Sequence, residues 1–108
     1  MFLLEPTTHE GAPALRLEGE LTIYHVAEAR ELLTEALDRQ PVLSLNLAGL
    51  EALDSAGVQL LVWLKQEAHR RGRTLVLFAH SPEVLEVMDL LRIGRLFGDP
   101  ILIAPSAS

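Results

Sequence analysis

Apolar residues recur along the chain with two periods, and stretches of the two kinds alternate. Apolar residues at every second position, or in short unbroken runs, predict β-strands, whereas spacings of three and four predict amphipathic helices. The predicted strands are Phe2–Thr7, Pro13–Glu18, Val42–Leu47, Thr74–Phe78 and Ile101–Ile103. The first predicted helix runs from about His25 to Arg39. The second begins at Ser55 or Ala56 and ends at Gly72, and a third starts at Ser81-Pro82-Glu83. The remaining segments, Gly11, Ala48–Glu51 and Gly94–Gly98, are predicted turns or loops.

The predicted elements follow the order β-β-α-β-α-β-α-β. Strands that are separated by helices need crossover connections, and crossovers produce parallel strand pairs. We therefore expect an α/β fold, with a small, mixed, mostly parallel β-sheet and three to four helices packed largely on one face. A length of 108 residues suits one domain, spanning residues 1–108.

Composition and charge narrow the class of partner. Hydrophobic residues make up 49% of the chain and charged residues 22%, which is typical of a globular protein. The formal net charge is −6, whereas nucleic-acid binding needs clustered Lys and Arg. The basic cluster His69-Arg70-Arg71-Gly72-Arg73 lies where a helix should end, and the helix dipole favours cations there. We therefore expect no nucleic-acid partner.

Cofactors and membrane insertion are not expected either. The chain has no cysteine, and its four histidines are scattered without ligand spacing, so we expect no metal site and no cofactor. The N-terminus, Met1–Pro6, lacks the basic region of a signal peptide. The longest apolar run, Leu60–Leu64, is far shorter than the roughly 20 residues that span a bilayer. We therefore expect a cytoplasmic protein without direct membrane insertion.

The stretch Leu53-Asp54-Ser55-Ala56-Gly57 carries more polar groups than the start of a helix needs. In one interpretation Asp54 or Ser55 caps the helix and the other is simply solvated. In the other, Ser55 is a regulated hydroxyl. A phosphate there would add about −1.5 to −2 charges, which a helix N-terminus tolerates but a docked partner would not. Gly57 costs about 1 kcal/mol relative to Ala within a helix, so we expect another backbone to approach it closely.

Other interpretations of this region are weaker. A serine hydrolase is disfavoured because Ser55 is not in a Gly-x-Ser-x-Gly context, and His80 is the only histidine placed like a base at a strand end. Trp63 lies on the second helix, and we expect it to be in the core or half-buried. An exposed Trp63 would instead mark a partner surface, since Trp is enriched at binding hot spots.

Taken together, these stretches resemble the STAS domain family, which is named for sulfate transporters and anti-sigma-factor antagonists. The most specific part is Leu53-Asp54-Ser55-Ala56-Gly57 with the long helix that follows it. The other matching stretches are Gly19-Glu20-Leu21, Leu45-Asn46-Leu47, Arg71-Gly72, Ser81-Pro82-Glu83-Val84 and Leu91–Phe97. The resemblance covers the chain from about Leu15 to Phe97.

The resemblance implies a single-domain anti-sigma-factor antagonist or a close relative, which is not an enzyme. In that family a serine kinase that also sequesters a sigma factor phosphorylates the hydroxyl directly after the Asp, here Ser55 after Asp54. The unphosphorylated antagonist binds this kinase and thereby frees the sigma factor, and a phosphatase restores it. The expected partner-binding surface comprises Asp54, Ser55, Ala56, Gly57 and Gln59, with the loop residues Thr22, Ile23 and Tyr24.

Two departures from the family pattern leave the partner open. Thr22 stands where the family often has Asp, and Gln59 stands where a small Gly is common. Other family members serve chemosensory systems, or are small cytoplasmic subunits of lipid-handling ABC transporters whose Ser or Thr at this place touches the ATPase subunit. A ligand-sensing domain with a small pocket near the turn is a third hypothesis. The sequence also leaves open whether the domain forms a homodimer.

Overall fold

The helices and strands come from a computed structural model, which describes residues 1–79, 81, 82 and 84–86. Its elements are β1 (Phe2–His9), β2 (Ala12–Leu21), α1 (Val26–Arg39), β3 (Val42–Leu53), α2 (Ser55–Arg70) and β4 (Thr74–Phe78). This order confirms the predicted one as far as β4. Pro82 and residues 84–86 are helical, as predicted for the third helix. The rest of that helix, the Gly94–Gly98 turn and the strand Ile101–Ile103 lie outside the described residues.

The four strands form one mixed sheet in the order β1-β2-β3-β4. β1 and β2 are an antiparallel hairpin, whereas β2 with β3 and β3 with β4 are parallel. The connections from β2 to β3 and from β3 to β4 each lead to the next strand in the same direction across the sheet. Because such crossovers are right-handed, α1 and α2 lie on the same face. The predicted α/β class, with a mostly parallel sheet and helices on one face, is confirmed.

Leucine side chains fill the space between that face and the two helices. The largest fully buried side chains are Leu17, Leu21, Leu33, Leu37, Leu45, Leu47, Leu50, Leu61, Leu64, Leu75 and Val84. Burying a leucine fully stabilises the fold by about 1.5–3 kcal/mol, so this core holds the helices firmly against the sheet. The first residues of α2 are therefore fixed at the carboxyl edge of the parallel strands.

β3 is longer than predicted. Residues 48–51 were expected to form a loop, but they continue the strand and pair with β2, with Gly49 opposite Glu18 and Leu50 opposite Gly19. The Ala-Gly sequence has little intrinsic strand preference, but the burial of Leu50 and Leu53 and the pairing to β2 override it. The pairing needs register shifts between Arg16 and Glu18 and again before Glu20.

α1 begins close to the predicted residue, His25. His25 is the N-cap residue, and its side chain makes no capping hydrogen bond. The segment from Thr22 to His25 forms a turn, in which the His25 N–H donates to the Thr22 carbonyl at 2.9 Å. This turn leaves Ile23 and Tyr24 in a loop.

The C-terminal end of α2 matches the prediction. Gly72 follows the C-cap residue Arg71 and has a φ of 71°, the left-handed conformation in which glycine ends helices. Arg70 and Arg71 both bond Glu67, and Arg71 also bonds Asp38 on α1. The basic cluster thus ties α2 to α1. No helix in the described part of the chain is both long and apolar enough to cross a membrane.

Candidate functional site

The candidate site lies where two neighbouring strands end. β2 ends at Leu21 and leads into the loop Thr22–Tyr24, while β3 ends at Leu53 beside it and leads through Asp54 into α2. Leu21 and Leu53 are partners in the parallel register, so the two connections leave the sheet side by side. In open α/β sheets this carboxyl edge is the usual place for binding sites.

The Asp54 carboxylate joins the two connections. One oxygen, Oδ1, accepts a hydrogen bond from the Gly57 N–H at 3.0 Å and caps α2. The other, Oδ2, accepts from the Ile23 N–H at 2.9 Å. A serine cap has only one side-chain oxygen and could not hold both groups in this way. Asp54 and Ser55, the two polar residues at the start of the helix, are therefore not redundant.

The protonation state of Asp54 follows from these contacts. Burial raises the pKa of the carboxyl group, but hydrogen bonds from the N–H groups of Gly57, Ile23 and Ala56 lower it, and the net shift is downward. Hydrogen bonds to the charged form of a carboxyl favour that form. Asp54 is therefore a carboxylate at neutral pH and places a fixed negative charge beside Ser55.

Ser55 is the first residue of α2, and its side chain is exposed. Asp54 performs the capping, so the Ser55 hydroxyl is left without a structural role. Within the part of the chain that the structure describes, this hydroxyl makes no hydrogen bond. His80, which the sequence offered as a base, lies outside the described residues.

Gly57 has a packing role in this site. A Cβ atom placed on Gly57 would lie 2.1 Å from the Leu21 carbonyl oxygen and 2.8 Å from Leu53 Cδ1. This confirms the expected close approach of another backbone. Gly57 is buried, so it contributes to the site by letting α2 lie against the end of β2 rather than by touching a partner.

Two large apolar side chains are exposed in the loop that Asp54 holds beside the start of α2. Tyr24 is 89% exposed and Ile23 is 61% exposed, although both are large and apolar. Gln59, one turn after Ser55, is exposed, and Ala56 is half-buried. Thr22 is half-buried at the base of the loop. The structure thus brings the predicted residues of the loop and of the start of α2 to one surface, with Gly57 beneath it.

A groove between α1 and α2 was not predicted from the sequence. It is open to solvent and has a volume of about 920 Å³. It begins at Ile23 and Ala56 and contains the half-buried Trp63, over whose ring the Arg30 guanidinium lies at 4.3 Å from the centroid. The half-buried position of Trp63 was expected. The groove itself depends on how two helices that are distant in sequence lie together, which no local pattern reports.

Comparison with known proteins identifies the family. The family model described as "Mlab, STAS domain" matches residues 5–103 of the 108-residue chain. The matched residues include the whole of the candidate site, from Thr22 to Gln59. The match spans nearly the whole chain, and the protein therefore belongs to the STAS domain family.

Three of the solved structures that resemble this chain are of anti-sigma factor antagonists. SpoIIAA in its unphosphorylated form is 28% identical, with a TM-score of 0.66 over 89% of this chain and 84% of that one. The Bacillus cell fate determinant SpoIIAA in the phosphorylated form is 26% identical, with a TM-score of 0.62 over 89% and 87%. An anti-sigma factor antagonist from Mycobacterium paratuberculosis is 18% identical, with a TM-score of 0.74 over 99% and 93%, and shows the fold alone.

Proposed function

We propose that the protein is a phosphorylation-controlled binding module of the anti-sigma-factor-antagonist type, and that it works by binding rather than by catalysis. Its binding surface is the Asp54-Ser55 turn, with Ala56 and Gln59 on one side and the loop Thr22–Tyr24 on the other. Ser55 is the phosphorylation site. The partner is a serine kinase that also acts as an anti-sigma factor.

One observation carries this proposal. Asp54 uses both carboxylate oxygens to hold the fold, on the Gly57 and Ile23 N–H groups, while the neighbouring Ser55 hydroxyl is exposed and bonds nothing among the described residues. A phosphate on Ser55 would therefore break no contact that the fold needs. The free N–H groups of the first turn of α2 would tolerate the added anion.

A phosphate would nevertheless change the surface. It adds about −1.5 to −2 charges next to the existing charge of Asp54. Ile23 and Tyr24 offer apolar contact area around it, and a partner docked on them would have to bury or displace that charge. Charge placed in an apolar interface disrupts binding through desolvation. The switch thus releases the partner and leaves the domain folded.

The structural comparisons support this proposal without deciding it. SpoIIAA, at 28% and 26% identity, is described in an unphosphorylated and in a phosphorylated form, and both forms resemble this chain over 89% of its length. A fold of this type is therefore compatible with a bound phosphate. That support concerns the type of protein.

A second candidate function is a subunit that contacts the ATPase of an ABC transporter, with Ser55 never phosphorylated. The observation that favours it is Gln59, a long exposed side chain one turn from Ser55 where the family commonly has a small residue. A surface shaped in this way suits a partner other than a sigma-factor kinase. A chemosensory protein is a third partner class for the same surface.

Partner capture from native cell extract tests the proposal. The baits are the wild type, Ser55→Ala, Ser55→Asp and, as a matched control for an exposed hydroxyl elsewhere, Thr8→Ala. We expect the wild type, Ser55→Ala and Thr8→Ala to retain a kinase of the anti-sigma type, and Ser55→Asp to lose it. Retention of the kinase by Ser55→Asp would refute the switch. Capture of an ATPase subunit or a chemosensory protein in its place would favour the corresponding alternative.

A further inference from the structure

The groove between α1 and α2 is continuous with the surface around Ser55. Ile23 and Ala56, which flank the Ser55 turn, also line the groove where it begins. A partner docked on the turn therefore faces an open channel that leads away along the two helices. The floor of this channel is apolar and includes Val26, Leu60 and Trp63.

Acidic side chains outnumber basic ones among the described residues that line the groove. Among the described residues, three carboxylates line it, from Glu31, Glu35 and Asp38 on α1, and one guanidinium, from Arg30. Arg39 bonds Glu35 and Arg71 bonds Asp38. Glu31 is exposed and forms no ion pair among the residues that the structure describes. The groove thus offers one carboxylate, that of Glu31, to an incoming cation.

Trp63 shows that the groove accommodates a cation. The Arg30 guanidinium already lies over its ring, at 4.3 Å from the centroid. A cation–π contact at an exposed site is worth only about 0.5–1 kcal/mol, so a partner side chain can displace Arg30 or lie beside it. An incoming Lys or Arg would find both the aromatic face of Trp63 and the carboxylate of Glu31.

We infer that the α1–α2 groove binds a basic amphipathic helix of the protein partner. This inference rests on the proposed function. α1 and α2 are 14 and 16 residues long, and a channel between two packed helices presents the shape that accepts a third. The apolar side of the bound helix lies on the groove floor, and its Lys or Arg residues face Glu31. Helices bind to grooves in this way through apolar anchors spaced three and four residues apart.

Trp63 allows a direct test, because it is the only tryptophan of the chain and its fluorescence reports on the groove. The probe is a 14-residue peptide of leucine and lysine, matched in length to α1, with its leucines at helical spacing. Two control peptides are a scrambled version with the same composition and a version with glutamate in place of lysine. We expect a saturable shift of the Trp63 emission with the first peptide and none with the controls.

Two charge-reversal variants of the full chain are matched for this test. Glu31→Lys changes the groove wall, and Glu10→Lys makes the same change of net charge in the exposed hairpin turn. We expect Glu31→Lys to weaken peptide binding by about fivefold or more and Glu10→Lys to leave it nearly unchanged. No emission shift, or equal weakening in both variants, would overturn the inference. An emission shift that appears when the protein concentration is raised without peptide would also overturn the inference, because a second copy of the protein would then occupy the groove.

The same variants separate this inference from the proposed function. If Ser55→Asp releases the captured partner but Glu31→Lys retains it as well as Glu10→Lys does, the switch stands and the groove inference is wrong. If the peptide binds as expected but Ser55 is never phosphorylated, the groove inference stands and the phospho-switch is wrong. Ser55→Asp is expected to leave peptide binding unchanged, because Ser55 does not line the groove.

Discussion

The Asp54 carboxylate holds the Ile23 backbone N–H at 2.9 Å, across two connections that are 31 residues apart in sequence. Its other oxygen caps α2 through Gly57. This single side chain therefore fixes the loop after β2 against the start of the helix that carries Ser55. These two contacts also explain the pair Asp54-Ser55: the carboxylate of Asp54 accepts both hydrogen bonds, and the hydroxyl of Ser55 stays exposed.

Replacing Asp54 by Asn tests this double role. Asn is as good an N-cap as Asp, so a simple cap would lose little. At this position, however, Asn presents one oxygen and one NH₂ group to two N–H donors, so either Ile23 or Gly57 loses its acceptor. We expect Asp54→Asn to lower the free energy of unfolding by about 1–3 kcal/mol in urea titrations.

Asp38→Asn is the matched control for that substitution, because Asp38 is exposed and its ion pair with Arg71 lies on the surface. Its cost should stay below about 1 kcal/mol. Equal costs for Asp54→Asn and Asp38→Asn would show that Asp54 acts as an ordinary surface carboxylate.

Gly57→Ala should destabilise the protein even though alanine is the better helix former by about 1 kcal/mol. The new Cβ would lie 2.1 Å from the Leu21 carbonyl oxygen, so α2 would have to move away from β2. Forced overpacking of this kind costs about 1–3 kcal/mol. Thermal and urea unfolding measure the change.

Gly72→Ala separates this effect from the general cost of replacing a glycine. A Cβ at Gly72 meets no atom of the described residues within 4 Å, so the expected penalty is that of the φ of 71°. We expect Gly57→Ala also to move the turn at Asp54, which an NMR shift of the Ile23 amide would report, whereas Gly72→Ala should leave that amide unchanged. An unmoved Ile23 amide in Gly57→Ala would contradict the close packing.

Acid should weaken the fold through Glu67. The hydrogen bond from Arg70 lowers the pKa of Glu67 most, burial raises it, and the hydrogen bond from Arg71 lowers it further. The net result is a fall of the pKa from 4.5 to about 2. Because the folded pKa is depressed, Glu67 stabilises the protein fully above the unfolded value, and this contribution disappears as the pH falls through the folded value. We therefore expect the free energy of unfolding to drop between about pH 4.5 and pH 2.

The variant Glu67→Gln should flatten that part of the stability–pH curve. Glu51→Gln, which removes one exposed carboxylate on β3, serves as the control for the change in net charge. A curve for Glu67→Gln that runs parallel to the wild type through this pH range would exclude the Glu67–Arg70–Arg71 cluster as a source of the acid sensitivity.

The sequence predicted those parts of the fold that depend on local patterns. The apolar periods located all six elements up to β4, and Gly72 marked the end of α2. The errors lie where long-range contacts decide. Residues 48–51 became strand because β2 pairs with them, and β2 runs past the predicted Glu18 to Leu21 because its last residues pair with β3.

The sequence singled out the residues at the start of α2, but it did not show which of them makes which contact. The spacing of Asp54, Ser55 and Gly57 indicated a special helix start, yet it could not tell which residue caps the helix. That depends on the Ile23 N–H, which only the folded chain brings near. The groove at Trp63 was missed for the same reason, since Arg30 and Trp63 meet only when α1 packs beside α2.

The most direct test of the central claim is the mass of the protein isolated from its native cells, with fragmentation to locate any modification. We expect a fraction of the wild type to carry one phosphate on Ser55, and Ser55→Ala to carry none, while Thr8→Ala retains it. Phosphate absent from the wild type under every growth condition, or located on another residue, would contradict the account of Ser55 as the switch.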